Sequence, residues 1–114
     1  MEDILIELLS TFNYPVIRQG SLAPNAKYPD TFFTFWNNDT SEHSAYDNEI
    51  SSETTDFDVN VYSNNANNTY NLITSAINLL KNNGWTIYDR GHDVFSDEIT
   101  HTGRGIGVVY LKNV

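Results

Sequence analysis

The sequence has no cysteine among its 114 residues. A disulfide framework, a thiolate zinc site and a thiol nucleophile are therefore excluded. No hydrophobic run approaches the roughly 18 apolar residues of a membrane span, and Glu2 and Asp3 stand where a signal peptide carries basic residues. We therefore expect a soluble, unexported protein. The length fits one compact domain over residues 1–114.

Basic residues are scarce as well. Six Lys and Arg face fifteen Asp and Glu, which gives a formal net charge of -9. No Lys or Arg lies between Lys27 and Lys81, and that gap contains Asp39, Glu42, Asp47, Glu49, Glu53, Asp56 and Asp58. This balance disfavours a surface that neutralises nucleic-acid phosphates or an anionic membrane. The anionic stretch either solvates the protein, excludes DNA or meets a basic partner.

Two amphipathic helices are predicted. Residues 3–12 place apolar side chains at helical spacing, with acidic residues near the start, where the helix dipole favours anions. Residues 66–82 contain a second stripe, Asn65 can cap that helix, and Gly84 can end it in a left-handed conformation. The second stripe consists of Tyr70, Ile73, Ala76, Ile77 and Leu80.

Several short segments are predicted to be strands. The aromatic and β-branched segment Thr31–Trp36 is typical of a central strand. Residues 56–62 alternate strictly between apolar and polar side chains, which indicates a strand with one buried face. The other candidate strands are residues 15–18, 85–90 and 105–112.

Three segments are predicted to be loops. Residues 37–54 are polar and without periodicity, which predicts a long hairpin loop, and long loops are often functional. Residues 20–29 and 91–103 are predicted to be loops as well. The order of elements predicts an α+β domain: two helices packed on one face of a mainly antiparallel four- to five-stranded sheet, with the long hairpin loop between the second and third strands.

Metal chemistry has one candidate set near the end of the chain. His92, Asp93 and His101 have suitable donor atoms. They lie in a predicted loop without the fixed spacing of a metal-binding helix motif. The sequence therefore favours exposed or hydrogen-bonded side chains over a metal site.

Other catalytic patterns are equally weak. Asp97 and Glu98 are adjacent, but Arg90 and Arg104 near them indicate an ion-pair cluster instead of a pair of catalytic carboxylates. The glycines on either side of Arg104 lack the frame of a phosphate loop and are expected to permit a bulge or a tight turn before the last strand. No catalytic, cofactor-binding or metal-binding set is predicted.

Five stretches of the sequence are distinctive: MEDILIELLSTF (1–12), YPDTFFTFWNNDTSEHSAYDNE (28–49), DFDVNVYSNNAN (56–67), LLKNNGW (79–85) and GHDVFSDEITHTGRGIGVVYL (91–111). Together they resemble the small tail-completion proteins of long-tailed bacteriophages. Those proteins belong with the tail terminators, and some are described as minor capsid or head-tail joining proteins. The resemblance covers nearly the whole chain and rests on no active-site motif.

The resemblance implies a small α/β domain with helices on one face of a sheet and a structural activity. Such proteins form a homo-oligomeric ring, typically a hexamer, that caps the tail tube and meets the head connector or head-completion protein. DNA passes through the ring without being specifically bound, and an anionic wall would repel it. The implied location is the tail and neck of the virion, and the host cytoplasm during assembly. No enzyme activity, cofactor or membrane is implied.

The residues expected at an assembly interface or lumen are acidic loop residues and one arginine: Asp39, Glu42, Asp47, Glu49, Glu53, Asp97, Glu98 and Arg104. Two other functions stay open at this point. An acidic protein can mimic DNA and inhibit a DNA-binding enzyme, which requires carboxylates spaced across a folded face. A metal-dependent hydrolase would use His92, Asp93 and His101.

Overall fold

The computed structural model describes residues 2–19, 29–44, 50–96 and 100–113. Within them lie two helices and five strands, which confirms the predicted α+β class. Their bounds are α1 Glu2–Ser10, β1 Val16–Arg18, β2 Thr31–Ser44, β3 Ile50–Ser63, α2 Ala66–Asn82, β4 Thr86–Val94 and β5 Thr102–Asn113. Neither of these two helices is long and apolar enough to cross a membrane.

The strands form one mixed sheet in the order β1-β2-β3-β5-β4. β1 runs parallel to β2, and the other three pairings are antiparallel. The sheet is therefore mainly antiparallel, as predicted. β5, the last strand in the chain, lies between β3 and β4, so the final segment completes the middle of the sheet.

Helix α2 has the ends that its sequence predicts. The side chain of Asn65 accepts a hydrogen bond from the backbone N–H of Asn67 at 3.0 Å, which caps the first turn. At the other end the N–H of Trp85 donates to the carbonyl of Leu80, and Gly84 has a φ of 88°. This is the Schellman arrangement, in which a residue without Cβ adopts the left-handed conformation at little cost.

One hydrophobic cluster joins the helices to the sheet. Leu5 and Leu9 of α1 belong to the same buried cluster as the apolar residues of α2 and the alternate residues of the strands. Trp85 extends this cluster, with its ring 6.0 Å from Phe57 and 5.0 Å from Tyr110. The strand residues in the cluster define the core face of the sheet: Phe33, Phe35, Phe57, Val59, Val61, Ile106 and Val108.

The stripe of α2 differs from the predicted one at its first position. Thr69 is buried, whereas Tyr70 is exposed over 53% of its surface. Thr69 lies four residues before Ile73 and so continues the row that faces the sheet. Tyr70 lies beside that row, where its ring contacts Arg104 of β5.

The prediction of a long hairpin loop over residues 37–54 is wrong. Residues 37–44 belong to β2 and residues 50–54 to β3, and the two strands pair from Thr31 and Ser63 outward to Ser44 and Ile50. The segment has no apolar period in its sequence, but its described backbone is paired with the partner strand. A shorter error affects the predicted loop 91–103, since β4 continues to Val94 and β5 begins at Thr102. The predicted loop 20–29 lies outside the described residues, apart from its final Pro29.

The paired ends of these strands form an arm. We define the arm as residues 39–44 of β2, 50–56 of β3 and 109–113 of β5, which remain paired from the edge of the hydrophobic cluster outward, with Tyr110 still packed against the cluster. The molecule measures 54 × 28 × 22 Å, with a radius of gyration of 15.3 Å. A compact chain of this length would have a radius of about 13 Å. The arm therefore makes the domain elongated.

Candidate interaction surface on the hairpin arm

The described part of the structure places four of the predicted assembly residues, in two positions. Asp39, Glu42 and Glu53 lie on the arm, not in a loop, and Arg104 lies within β5. The other predicted residues, Asp47, Glu49, Asp97 and Glu98, fall outside the described residues. Of the described members, Asp39, Glu42 and Glu53 therefore share the arm, where strand pairing sets their positions.

Acidic residues face one another across the arm. Asp39 is the partner of Asp56, and Glu42 is the partner of Glu53. The second pair has Lys112 of β5 as a further neighbour of Glu53 in the register. Like charges directly opposite each other destabilise an antiparallel pair. The register therefore sets two acidic pairs along the arm, the second of them with Lys112 beside it.

The side of the sheet opposite the core face carries a different set of residues. We call it the outer face. One row across it runs through Trp36, Asp58 and Gly107, and the next row toward the tip runs through Asp39, Asp56 and Val109. Trp36 is 48% exposed, and so this row places an indole in solvent beside carboxylates. Exposed aromatic rings of this kind are enriched in protein interfaces.

Alternate glycines of β5 shape the outer face. At Gly105 a Cβ would lie 2.3 Å from Oδ1 of Asn60, and at Gly107 a Cβ would lie 2.5 Å from the ring of Tyr88. Side chains of the neighbouring strands therefore lie directly over β5, where only glycine leaves room. Both glycines beside Arg104 lie in regular pairing with β3, so the predicted bulge or turn is not found on that side. On the side of β4 the register shifts between Gly105 and Gly107, so an irregularity of the neighbouring strand lies beside Gly105.

The side chain of Tyr88 on β4 crosses over β5 to reach β3, because Gly107 of β5 has no side chain in its path. Its hydroxyl donates to Oδ1 of Asp56 at 2.5 Å. Burial of the phenol, the hydrogen bond to Asp56 and the charges of Asp56 and Asp58 raise the pKa of Tyr88, while Asn38 opposes the rise. The ring itself is 54% exposed. Tyr88 thus connects β4 with the acidic part of β3 while presenting an aromatic surface.

Asn60 anchors the other end of the outer face. Its Nδ2 donates to Oε1 of Gln19 at 3.3 Å and to Oγ1 of Thr34 at 3.4 Å. Asn60 and Thr34 are both buried, although they alternate with the core residues of their strands. These hydrogen bonds connect β3 to β2 and to the end of β1, and so hold these three strands together near Trp36.

The candidate metal ligands are engaged with different partners. His92 pairs with Asp89 at 2.8 Å, and Asp93 pairs with Arg104 at 3.0 Å. Nε2 of His101 donates to the carbonyl of Pro29 at 2.8 Å. In the described part of the chain, no group of three His, Asp or Glu side chains is arranged to hold a metal ion.

A cleft lies between the first turn of α2 and the segment that joins β4 to β5. Its volume is 420 Å³, and its lining includes Tyr70, Asp93, Phe95 and His101. Arg104 lies close by, with its guanidinium 5.1 Å from the centre of the Tyr70 ring. The cation–π contact links Arg104 of β5 to α2, and the ion pair with Asp93 holds the guanidinium in place.

Of the outer-face residues that surround Asp39, none was among the predicted site residues: Trp36, Asp56, Asp58 and Tyr88. Trp36 belonged to a strand predicted to be apolar on both faces, and Tyr88 to an ordinary strand. The alternate spacing of glycines at 103, 105 and 107 was the available signal, because period-two glycines leave one face of a strand without side chains. What fills that space depends on strand order, which the sequence does not state.

No protein-family model matches the sequence, and no curated protein matches it either. The function therefore has to be inferred from the chemistry of the surface and from the resemblance of its sequence segments.

Proposed function

We propose that this chain is a structural protein of bacteriophage tail assembly. It forms a ring that caps the tail tube and joins the tube to the head connector. The observation that carries the proposal is the acidic arm, which extends the sheet well beyond the hydrophobic cluster. Such an arm can reach a neighbouring subunit, and a role of this kind depends on shape and charge.

The paired carboxylates of the arm support this role. In the strand register Asp39 is opposite Asp56 and Glu42 is opposite Glu53, which concentrates acidic residues on the arm. Negative charge suits a ring that conducts DNA, because a negative wall repels phosphates and leaves the genome free to slide.

The edge of β2 beyond Phe35 supports assembly as well. Among the described residues, β1 pairs with β2 only at Phe33–Phe35, so the other edge of residues 37–44 has no partner strand. Open edges of this kind readily accept a strand from another chain. In the proposed ring, the two helices cover one face of each sheet, and neighbouring subunits meet at the edge and arm.

Electron microscopy of tail tubes tests the proposal. Tubes assembled from the major tail protein of the same phage should acquire a ring at one end when the purified chain is added, and they should stop growing. Tubes whose ends and growth are the same with and without the chain would contradict the proposal. A recombinant monomer alone decides nothing, because ring formation can require the tube.

A pair of charge variants separates the arm from general acidity. In the phage that encodes the chain, D39N/D56N should leave rings intact but reduce DNA delivery, because the wall of the ring loses negative charge. D3N/E7Q removes the same number of charges from exposed positions of α1 and should retain full infectivity. Equal effects of the two double variants would exclude a specific role of the arm.

Mimicry of DNA is a second candidate that one observation favours. Five carboxylates lie on the paired strands β2 and β3, namely those of Asp39, Glu42, Glu53, Asp56 and Asp58. The sequence had placed the first three of them in a loop. A DNA mimic requires such a folded anionic face. Competition between the chain and duplex DNA for a DNA-binding enzyme tests this function, and release of DNA at equimolar chain would favour it over the ring.

A further inference from the structure

The outer face carries an aromatic and acidic patch at the base of the arm. We define this patch as Trp36, Asp39, Asp56, Asp58 and Tyr88. Trp36 and Tyr88 each expose about half of their surface, at 48% and 54%. We infer that the patch binds an extended, arginine-bearing segment of a partner protein. The patch would do so whether or not the chain acts in a phage neck.

Charge complementarity selects a basic partner. The paired outer-face positions of β2, β3 and β5 in the described structure carry no Lys or Arg, while three carboxylates lie there in two adjacent rows. The full chain has a net charge of -9. Nucleic acids and anionic lipids are repelled by such a surface, whereas a cationic peptide is attracted.

The spacing of the carboxylates fits an extended segment. Asp56 and Asp58 are two residues apart on β3 and lie on the same face, hence roughly 6.8 Å apart along the strand. An extended peptide presents alternate side chains at the same interval. Two arginines in such a peptide can therefore each meet one carboxylate without a change in the sheet.

Aromatic rings favour arginine over lysine in this segment. Trp36 lies directly across from Asp58 in the strand register. A planar guanidinium can stack on an indole while its N–H groups bind a carboxylate, and an ammonium group cannot adopt this bidentate and stacked arrangement. The tyrosine ring bounds the patch on the side of β4, where its hydroxyl is held by Asp56.

The two tryptophans provide a direct test. In a proton–nitrogen NMR spectrum, the indole signal of Trp36 reports on the patch, and that of buried Trp85 reports on the core. A five-residue peptide of alternating arginine and serine should shift the Trp36 signal in a saturable manner and leave the Trp85 signal in place. The corresponding lysine peptide should bind more weakly, and the corresponding glutamate peptide should not bind.

Matched charge variants localise the binding. D56N/D58N should weaken binding of the arginine peptide by about tenfold, because each exposed ion pair contributes a factor of about three. Asparagine keeps an acceptor for Tyr88, and an unchanged Trp85 signal shows that the variant is folded. D3N/E7Q, with the same loss of charge on α1, should bind within twofold of the original chain.

Three results would overturn the inference. The first is no shift of Trp36 at millimolar arginine peptide. The second is an equal loss of affinity in D56N/D58N and D3N/E7Q, which would show attraction to overall charge only. The third is a shift of Trp36 on raising the protein concentration without peptide, which would assign the patch to a second copy of the chain.

Discussion

Replacing Gly105 by alanine tests the packing of side chains over β5. The new Cβ would lie 2.3 Å from Oδ1 of Asn60, far inside an ordinary contact. Asn60 is only 5% exposed and donates to Gln19 and Thr34. It therefore has no free space to enter, and the substitution should displace it from both hydrogen bonds.

The expected cost follows from these contacts. Forcing a methyl group into a filled site costs about 1–3 kcal/mol, and each lost hydrogen bond costs about 1 kcal/mol. Alanine returns about 0.4–1 kcal/mol by restricting the unfolded chain. We expect G105A to lower the free energy of unfolding by about 3 kcal/mol, which corresponds to a fall in Tm of about 12 °C for a domain of this size.

Urea denaturation followed by circular dichroism measures this loss. The double-mutant cycle with N60A isolates its cause, because the methyl group has room once the amide is absent. In the N60A background, G105A should cost less than about 0.5 kcal/mol, a coupling within the range seen for residues in contact. An unchanged cost of G105A in that background would refute the steric explanation.

G107A is the control within the same strand. Its Cβ would lie 2.5 Å from the ring of Tyr88, but that ring is 54% exposed and can turn into solvent. The loss of one exposed hydrogen bond is then balanced by the gain in the unfolded state, so the change should stay below about 1 kcal/mol. If G107A destabilised the chain more than G105A, burial would not be the deciding factor.

Three further outcomes are expected. Because the pKa of Tyr88 is raised in the folded protein, this phenol loses its proton first in the unfolded chain, and the free energy of unfolding should fall as the pH rises above the unperturbed value of 10.0. Y88F should flatten this fall in urea titrations between about pH 9 and 11. N65A should cost about 1 kcal/mol by removing the cap of α2, whereas N71A at an exposed position inside the helix should cost nothing, as measured by thermal denaturation. L80A should cost about 3 kcal/mol because Leu80 is fully buried, against less than 1 kcal/mol for L79A at a partly exposed position, again by urea denaturation.

Local features of the sequence were enough to predict α2 and part of β3. The cap at Asn65, the apolar stripe and the glycine at position 84 act within a few residues of each other, and the helix has the predicted bounds 66–82. The alternation around Phe57 likewise predicted its buried face, since Phe57, Val59 and Val61 are all at 0% exposure. Such signals are readable because their physical causes are local in the chain.

The arm was not predictable in this way. Its strands have little apolar surface to bury near the tip, so hydrophobic periodicity is absent, and the polar composition of residues 37–54 indicated a loop. What makes them strands is the partner backbone across the sheet. The acidic residues of the candidate surface were therefore identified as anionic from sequence alone, but their arrangement in opposing pairs was not.

The sequence by itself determined the net charge, the absence of thiol chemistry, the two helices and the strands that enter the core. Tertiary structure alone decided that β5 lies between β3 and β4, and that Trp36 and Tyr88 flank the carboxylates of β3. The reason is that strand order is set by hydrogen bonds between residues far apart in the chain. A glycine every second residue in β5 becomes meaningful only when the side chains of its neighbours are in place above it.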